Sequence, residues 1–251
     1  MPAPVVRSDQ GQGPVVVLVH GVGVGPESFS ALEEALPGFR VVTVERPAGA
    51  GGTALPLTVQ ADQVATALAA ADAAGATLVG VSGGATLGLV LAVRHPWLAP
   101  RMVLHEPLVG ELAPTLAARF QDAAAHAARG DAEAMDVVRA VMGDHTWAHL
   151  GPLARTRSIA AASRWRGEIA EFAGYAPTIG ELQEASLVQM LITVGSTSGP
   201  ERMEAARVLS RFAAAEVAVV PGAGNLAQVD APGAFARTIL SWPALQEERA
   251  R

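Results

Sequence analysis

Short β-branched runs alternate with longer Ala- and Leu-rich stretches along most of this chain, a pattern that calls for parallel strands joined by helical crossovers. A strand buried on both faces reads as an unbroken apolar run, and residues 15–20, ending at His20, form one too short for a buried helix. Similar runs at 41–45, 77–81, 102–105, 188–194 and 217–220 predict further strands. Helices are expected at 27–36, stopped by Pro37-Gly38, and at 58–74, with Thr58 as cap and Gly75 just past the end. Others are expected at 84–94, 200–212 and 231–241, and a Gly- and Pro-rich loop at 46–56. Between 111 and 184 the alternation breaks into Ala-, Arg- and Glu-rich helical stretches without a strand. That insertion reads as a helical cap. The expected organisation is a single α/β domain, with a core of residues 1–110 and 186–251 and a cap of 111–185. The polar tail after Pro243 is expected to fray.

Composition removes several classes of chemistry. The 251 residues contain no Cys, which excludes disulfides, thiolate nucleophiles and Cys-ligated metal. All 18 basic residues are Arg, so a catalytic lysine is excluded as well. A net charge of −6 offers no field for a polyanion, and nucleic acid is not an expected partner. No apolar stretch is long enough to cross a bilayer, and one charge, Arg7, before a six-residue apolar run does not make a signal peptide. The expectation is a cytoplasmic protein of bacterial type, without membrane partners, monomeric or homodimeric.

The chemical signal begins at Gly80-Val81-Ser82-Gly83-Gly84, between a predicted strand and a strongly apolar helix. Glycines on both sides allow the sharp turn that exposes a serine hydroxyl at the sheet edge. His20-Gly21-Val22-Gly23 follows the first predicted strand, at the same edge. Backbone N–H groups there, from Val22 and from Gly83, would face a developing oxyanion.

Together with Arg46-Pro47, Leu104-His105-Glu106-Pro107 and Pro221-Gly222-Ala223-Gly224-Asn225, these elements resemble the α/β-hydrolase superfamily over nearly the whole chain. The His-Glu-Pro element is similar to that of small bacterial hydrolases that carry a cap. The resemblance implies an eight-strand-type sheet, a helical cap and a catalytic order of serine, acid and histidine. The chain departs from this pattern twice. Ser196-Thr197-Ser198, where much of the superfamily places its acid, holds no carboxylate, and Glu106 supplies one instead, at the position used by haloalkane-dehalogenase-like members. Asn225 stands where the catalytic histidine is expected. A primary amide takes no proton near neutral pH, so base catalysis from 225 is excluded.

Three readings of Asn225 follow. It is an engineered replacement of histidine; or a cap histidine, His145 or His149, serves as base; or the amide is native to a reaction that needs a positioned amide. The expected protein is a hydrolase-family enzyme acting on a carbonyl-containing small molecule, with Ser82, Glu106 and Asn225 as catalytic residues. The alternatives are a cyclase, lyase or carbon–carbon bond-forming enzyme of secondary metabolism, or a ligand-binding pseudoenzyme. His20, Trp147, Trp165, Phe172 and Tyr175 are expected to line the substrate pocket, with Arg155, Arg157, Arg164 and Arg166 as a solvated face or a clamp for an acidic group. The reading requires no cofactor and no metal.

Overall fold

A computed structural model describes residues 5–46, 48, 49 and 53–249. Among these, seven strands form one sheet: β1 (Val5–Gln10), β2 (Val15–Val19), β3 (Arg40–Glu45), β4 (Thr77–Val81), β5 (Arg101–His105), β6 (Gln189–Gly195) and β7 (Glu216–Val220), in the order β1-β3-β2-β4-β5-β6-β7. All neighbours from β3 to β7 are parallel, and only β1 runs antiparallel, beside β3. Alternate side chains enter opposite layers. On β2, Val17 and Val19 pack into one core and Val16 and Leu18 into the other, so this strand is apolar throughout.

Helices α1 (Ser30–Glu34), α2 (Leu57–Ala70) and α3 (Gly83–Arg94) connect the first strands. Six more occupy the space between β5 and β6: α4 (Pro114–Ala127), α5 (Asp131–Met142), α6 (Asp144–His149), α7 (Pro152–Ala160), α8 (Ala162–Ala173) and α9 (Ile179–Glu184). The chain closes with α10 (Pro200–Phe212), α11 (Ala227–Asp230), α12 (Pro232–Ser241) and α13 (Pro243–Arg249). Because the strands are parallel, the segments that follow β2, β4, β5 and β7 all emerge at one edge of the sheet. Residues far apart in sequence meet there.

Several local expectations need correction. β1 is missing from the expected strands, because it is an edge strand held by backbone pairing with β3 and shows no apolar run. The sheet therefore has seven strands among the described residues, where the resemblance implies an eight-strand type. The first helix is a 3-10 turn, Pro26–Phe29, followed by the short α1. α2 starts at Leu57, with Pro56 and not Thr58 in the cap position, and ends at Ala70. In the tail, residues 243–249 are not frayed but form α13, whose Leu245 is fully buried. Pro47 of the Arg46-Pro47 pair lies outside the described residues.

Candidate active site

Ser82 leaves β4 and begins the turn into α3 with φ 53° and ψ −116°, a strained conformation for a residue with a side chain. The neighbouring glycines make it possible. A Cβ on Gly80 would lie 2.5 Å from the Gly84 oxygen, and one on Gly84 would run into the Val19 carbonyl. The Ser82 N–H donates to the His105 carbonyl at 2.8 Å, which ties the turn to β5. No side-chain hydrogen bond joins the Ser82 hydroxyl to another described residue, and Ser82 is half-buried. Gly83 opens α3, so its N–H has no acceptor within the helix, and the Val22 N–H donates to no backbone carbonyl among the described residues.

Glu106 follows β5 with φ 54° and is 2% exposed. Its Oε1 accepts from the Gly195 N–H at 3.0 Å. Its Oε2 accepts from the Asn225 side-chain amide at 2.9 Å and lies 3.3 Å from Nε of Arg202. Burial by itself would raise this carboxyl, but the Arg202 charge and hydrogen bonds from Asn225 and Ser198 outweigh it and hold Glu106 below the ordinary carboxylate range. Burial pushes His105 down. Its Nε2–H donates to the Gly224 carbonyl at 2.8 Å, and its Nδ1 lies 2.9 Å from the Thr193 hydroxyl, from which the ring accepts when burial keeps it neutral. Arg202 is thus the standing cation beside Glu106.

The turn carrying Asn225 is fixed from both sides, by His105 on the Gly224 carbonyl and by Asp230 Oδ2 accepting from the Gly224 N–H at 2.8 Å. With its NH₂ on Glu106, the Asn225 amide keeps its oxygen for another donor.

Ser82, Gly83, Val22 and Asn225 line a common cavity of about 30 Å³, closed by Leu108, Phe120, Val137, Val138, Val141, Met142, Ile169 and Phe172. That is space for a water or two. Beside it opens a cleft of about 1080 Å³, and Phe120, Val137, Val141, Met142 and Asn225 border both. Of the aromatics expected at the pocket, Phe172 is in its wall. The others are elsewhere, because packing and hydrogen bonds hold them. Trp165 is buried with its indole N–H on the Ser158 carbonyl at 2.8 Å, Trp147 lies against Arg139, and Tyr175 packs against the core layer that also holds Phe172 but does not line the cavity. His20 is fully buried behind the loop: its Nδ1–H donates to the Gly21 carbonyl at 2.9 Å and its Nε2 accepts from the Arg46 N–H at 3.1 Å. Burial pushes His20 down and keeps it neutral.

The remaining histidines are also outside the Ser82 cavity. His145 and His149 are exposed on α6 with ring centroids 4.1 Å apart, and His145, with His126, borders the large cleft while His149 does not. Among the described residues, no group of three or more His, Asp or Glu could hold a metal ion. Nor do Arg155, Arg157, Arg164 and Arg166 line the cavity. Arg157 pairs with Glu27, Arg166 with Asp131, and Arg164 with Glu168. Glu168 belongs to a buried cluster: its Oε2 accepts from Arg46 at 2.7 Å, and Arg46 also donates to the Gly21 carbonyl and to Gln60. This pair ties α8, which carries Ile169 and Phe172, to the loop that carries Val22.

The sequence reading misses two sets of residues. The aliphatic wall comes from α5, where Val137, Val138, Val141 and Met142 share one helical face; their i, i+1, i+4, i+5 spacing is the available signal. Arg202 in the first turn of α10 carries no local signal, because its partner Glu106 is remote in sequence.

A sequence model described as "Alpha/beta hydrolase family" matches residues 16–238. The chain is 32% identical over 111 residues to "Uncharacterized hydrolase YraK" of Bacillus subtilis, a match spanning 41% of each chain. It is 40% identical over 92 residues to a pimeloyl-[acyl-carrier protein] methyl ester esterase of Aromatoleum aromaticum, spanning 36% of each. The matched segments thus cover about two fifths of these relatives' lengths. Among solved structures, a thermophilic esterase from Thermogutta terrifontis superposes with a TM-score of 0.77 at 19% identity, over 98% of this chain and 94% of that one.

Proposed function

The chain belongs to the alpha/beta hydrolase family, and on that premise we propose that it is an enzyme acting on a carbonyl-containing small molecule at Ser82. The fold is the α/β-hydrolase fold. In this reading residues 111–185 act as a cap over the core of 1–110 and 186–251. The substrate carbonyl enters between Ser82 and the unused N–H groups of Val22 and Gly83, which stabilise charge developing on its oxygen. Glu106 is the acid of the site. Asn225 takes the place of the base, held by Glu106 with its oxygen free to accept from the Ser82 hydroxyl. An amide orients that hydroxyl but cannot remove its proton, so acyl transfer through Ser82 is slow in the chain as it stands.

The observation that carries this reading is the 2.9 Å hydrogen bond from Asn225 to Glu106, in a turn that shares its cavity with Ser82. The names of the relatives, a hydrolase and an esterase, support the same substrate class. That no histidine is among the residues lining the cavity favours a second reading, a non-hydrolytic enzyme in which the Ser82 hydroxyl only donates to the carbonyl. Kinetics with p-nitrophenyl acetate separate the two. Under the first reading, Asn225→His raises kcat/KM by on the order of 10²-fold or more and Ser82→Ala in that background removes the gain. A folded Asn225→His variant with unchanged hydrolysis favours the second.

A further inference from the structure

The proposed chemistry leaves one buried charge at the site without a task. Arg202 is 8% exposed, its Nε lies 3.3 Å from Glu106 Oε2, and its guanidinium stands 5.1 Å from the centre of the Phe120 ring. Its Nη1 is buried without a hydrogen-bond partner. A guanidinium in that state is costly to bury, and the Glu106 carboxylate is its compensation. The oxygen that faces Arg202 also accepts the Asn225 amide, so a permanent cation and a neutral amide share it.

An imidazole at 225 would need something different. The triad acid helps a histidine because its negative charge is available to the imidazolium as the proton arrives. Here that charge is already answered by a cation. A neutral amide loses nothing by this, since it never changes charge. From this shared oxygen we infer that Arg202 is a positioning residue that adapts the Glu106 carboxylate to a neutral side chain at 225 and sets the position against a protonated base. The inference rests on the reading of the site given above and deepens it: the electrostatics around 225, and not residue 225 alone, are arranged away from base catalysis.

The other charges around this point do not supply the same effect. His105 is neutral and hydrogen-bonded at both nitrogens. Asp230 accepts from the Gly224 N–H and, at 2.5 Å, from the Thr146 hydroxyl, and would favour a cation at 225. Arg119 is paired with Glu201 at the cleft wall.

The test is an NMR titration of the imidazole introduced by Asn225→His, alone and combined with Arg202→Gln, Arg202→Met or Arg202→Lys. Removing the guanidinium charge with Gln or Met is expected to raise that imidazole's pKa by about one unit or more, the usual effect of a charge within a few ångströms. Lys keeps the charge and should leave the pKa where Asn225→His alone puts it. Met can fill the space over Phe120 if Gln fails to fold, so either variant carries the test. An unchanged pKa in the charge-removing variants, or an equal rise with Lys, would overturn the inference. The titration uses no substrate, so it stands apart from the fate of the functional reading, which fails if a folded Asn225→His variant gains no hydrolysis with or without Arg202.

Discussion

Glu168→Gln removes one charge from a buried pair while keeping the shape of the side chain. Arg46 is fully buried and Glu168 is 1% exposed, with 2.7 Å between Nη2 and Oε2. Arg164, through its Nε, holds the other carboxylate oxygen at 2.7 Å. Neutralising Glu168 leaves two guanidiniums facing an uncharged amide, one of them without access to water. Breaking a buried pair from one side costs about 3–5 kcal/mol, a large share of the 5–15 kcal/mol typical of a folded domain. With a urea slope of about 2–3 kcal/mol per molar, the midpoint should fall by roughly 1–2 M. Equilibrium urea unfolding followed by far-UV circular dichroism measures this. Adding Arg46→Met should recover part of the loss, because the unpaired buried charge then disappears, though the Gly21 carbonyl and Gln60 still lose a donor. A loss below about 1 kcal/mol for Glu168→Gln would show that water reaches the pair and refute the reasoning.

Stability should also decline with acid. His20 and His105 are held below the ordinary value of 6.5 by burial, so the unfolded chain takes up protons that the folded chain refuses, and stability falls as the pH drops below about 6.5 until the folded rings titrate as well. Glu106, held below 4.5 in the fold, adds to the loss under about pH 4.5, and urea midpoints across pH 4–8 should show this fall. Gly84→Ala places a Cβ against the Val19 carbonyl and 2.8 Å from the His20 oxygen; it should lower the thermal midpoint steeply or prevent soluble expression. Met142→Ala should lose about 2–5 kcal/mol and, in the Asn225→His background, lower KM for esters with longer acyl chains, since Met142 borders both cavity and cleft.

How far the chain can be read in advance depends on where burial imposes a pattern. β2, β4 and β5 are covered on both faces, so their apolar runs announce them. β1 is held by its backbone to β3 and displays Arg7, Ser8 and Asp9, so it reads as polar loop. Leu245 is the buried residue among the described side chains of α13, in a segment that turns polar after it, too little for a helical period. At the site, Ser82, Glu106 and Asn225 are legible because each sits in the loop just past a recognisable strand. Of the cavity wall only Phe172 is legible, since the scarce aromatics draw attention equally to Trp147, Trp165 and Tyr175, whereas the packing of α5 and α8 brings in aliphatic side chains. Arg202 depends wholly on a contact between α10 and the end of β5, which no local pattern encodes.

The central claim is that Ser82 is placed for nucleophilic attack and has no base at 225 to take its proton. Reaction with a fluorophosphonate tests this without knowledge of the substrate, because it reports how readily the hydroxyl gives up its proton and attacks. The rate of Ser82 phosphonylation, followed by intact-protein mass spectrometry, should be slow in the native chain, rise on the order of 10²-fold or more with Asn225→His, and vanish with Ser82→Ala. A folded Asn225→His variant that reacts no faster than the native chain, or a native chain that already reacts as fast as that variant, would contradict the account.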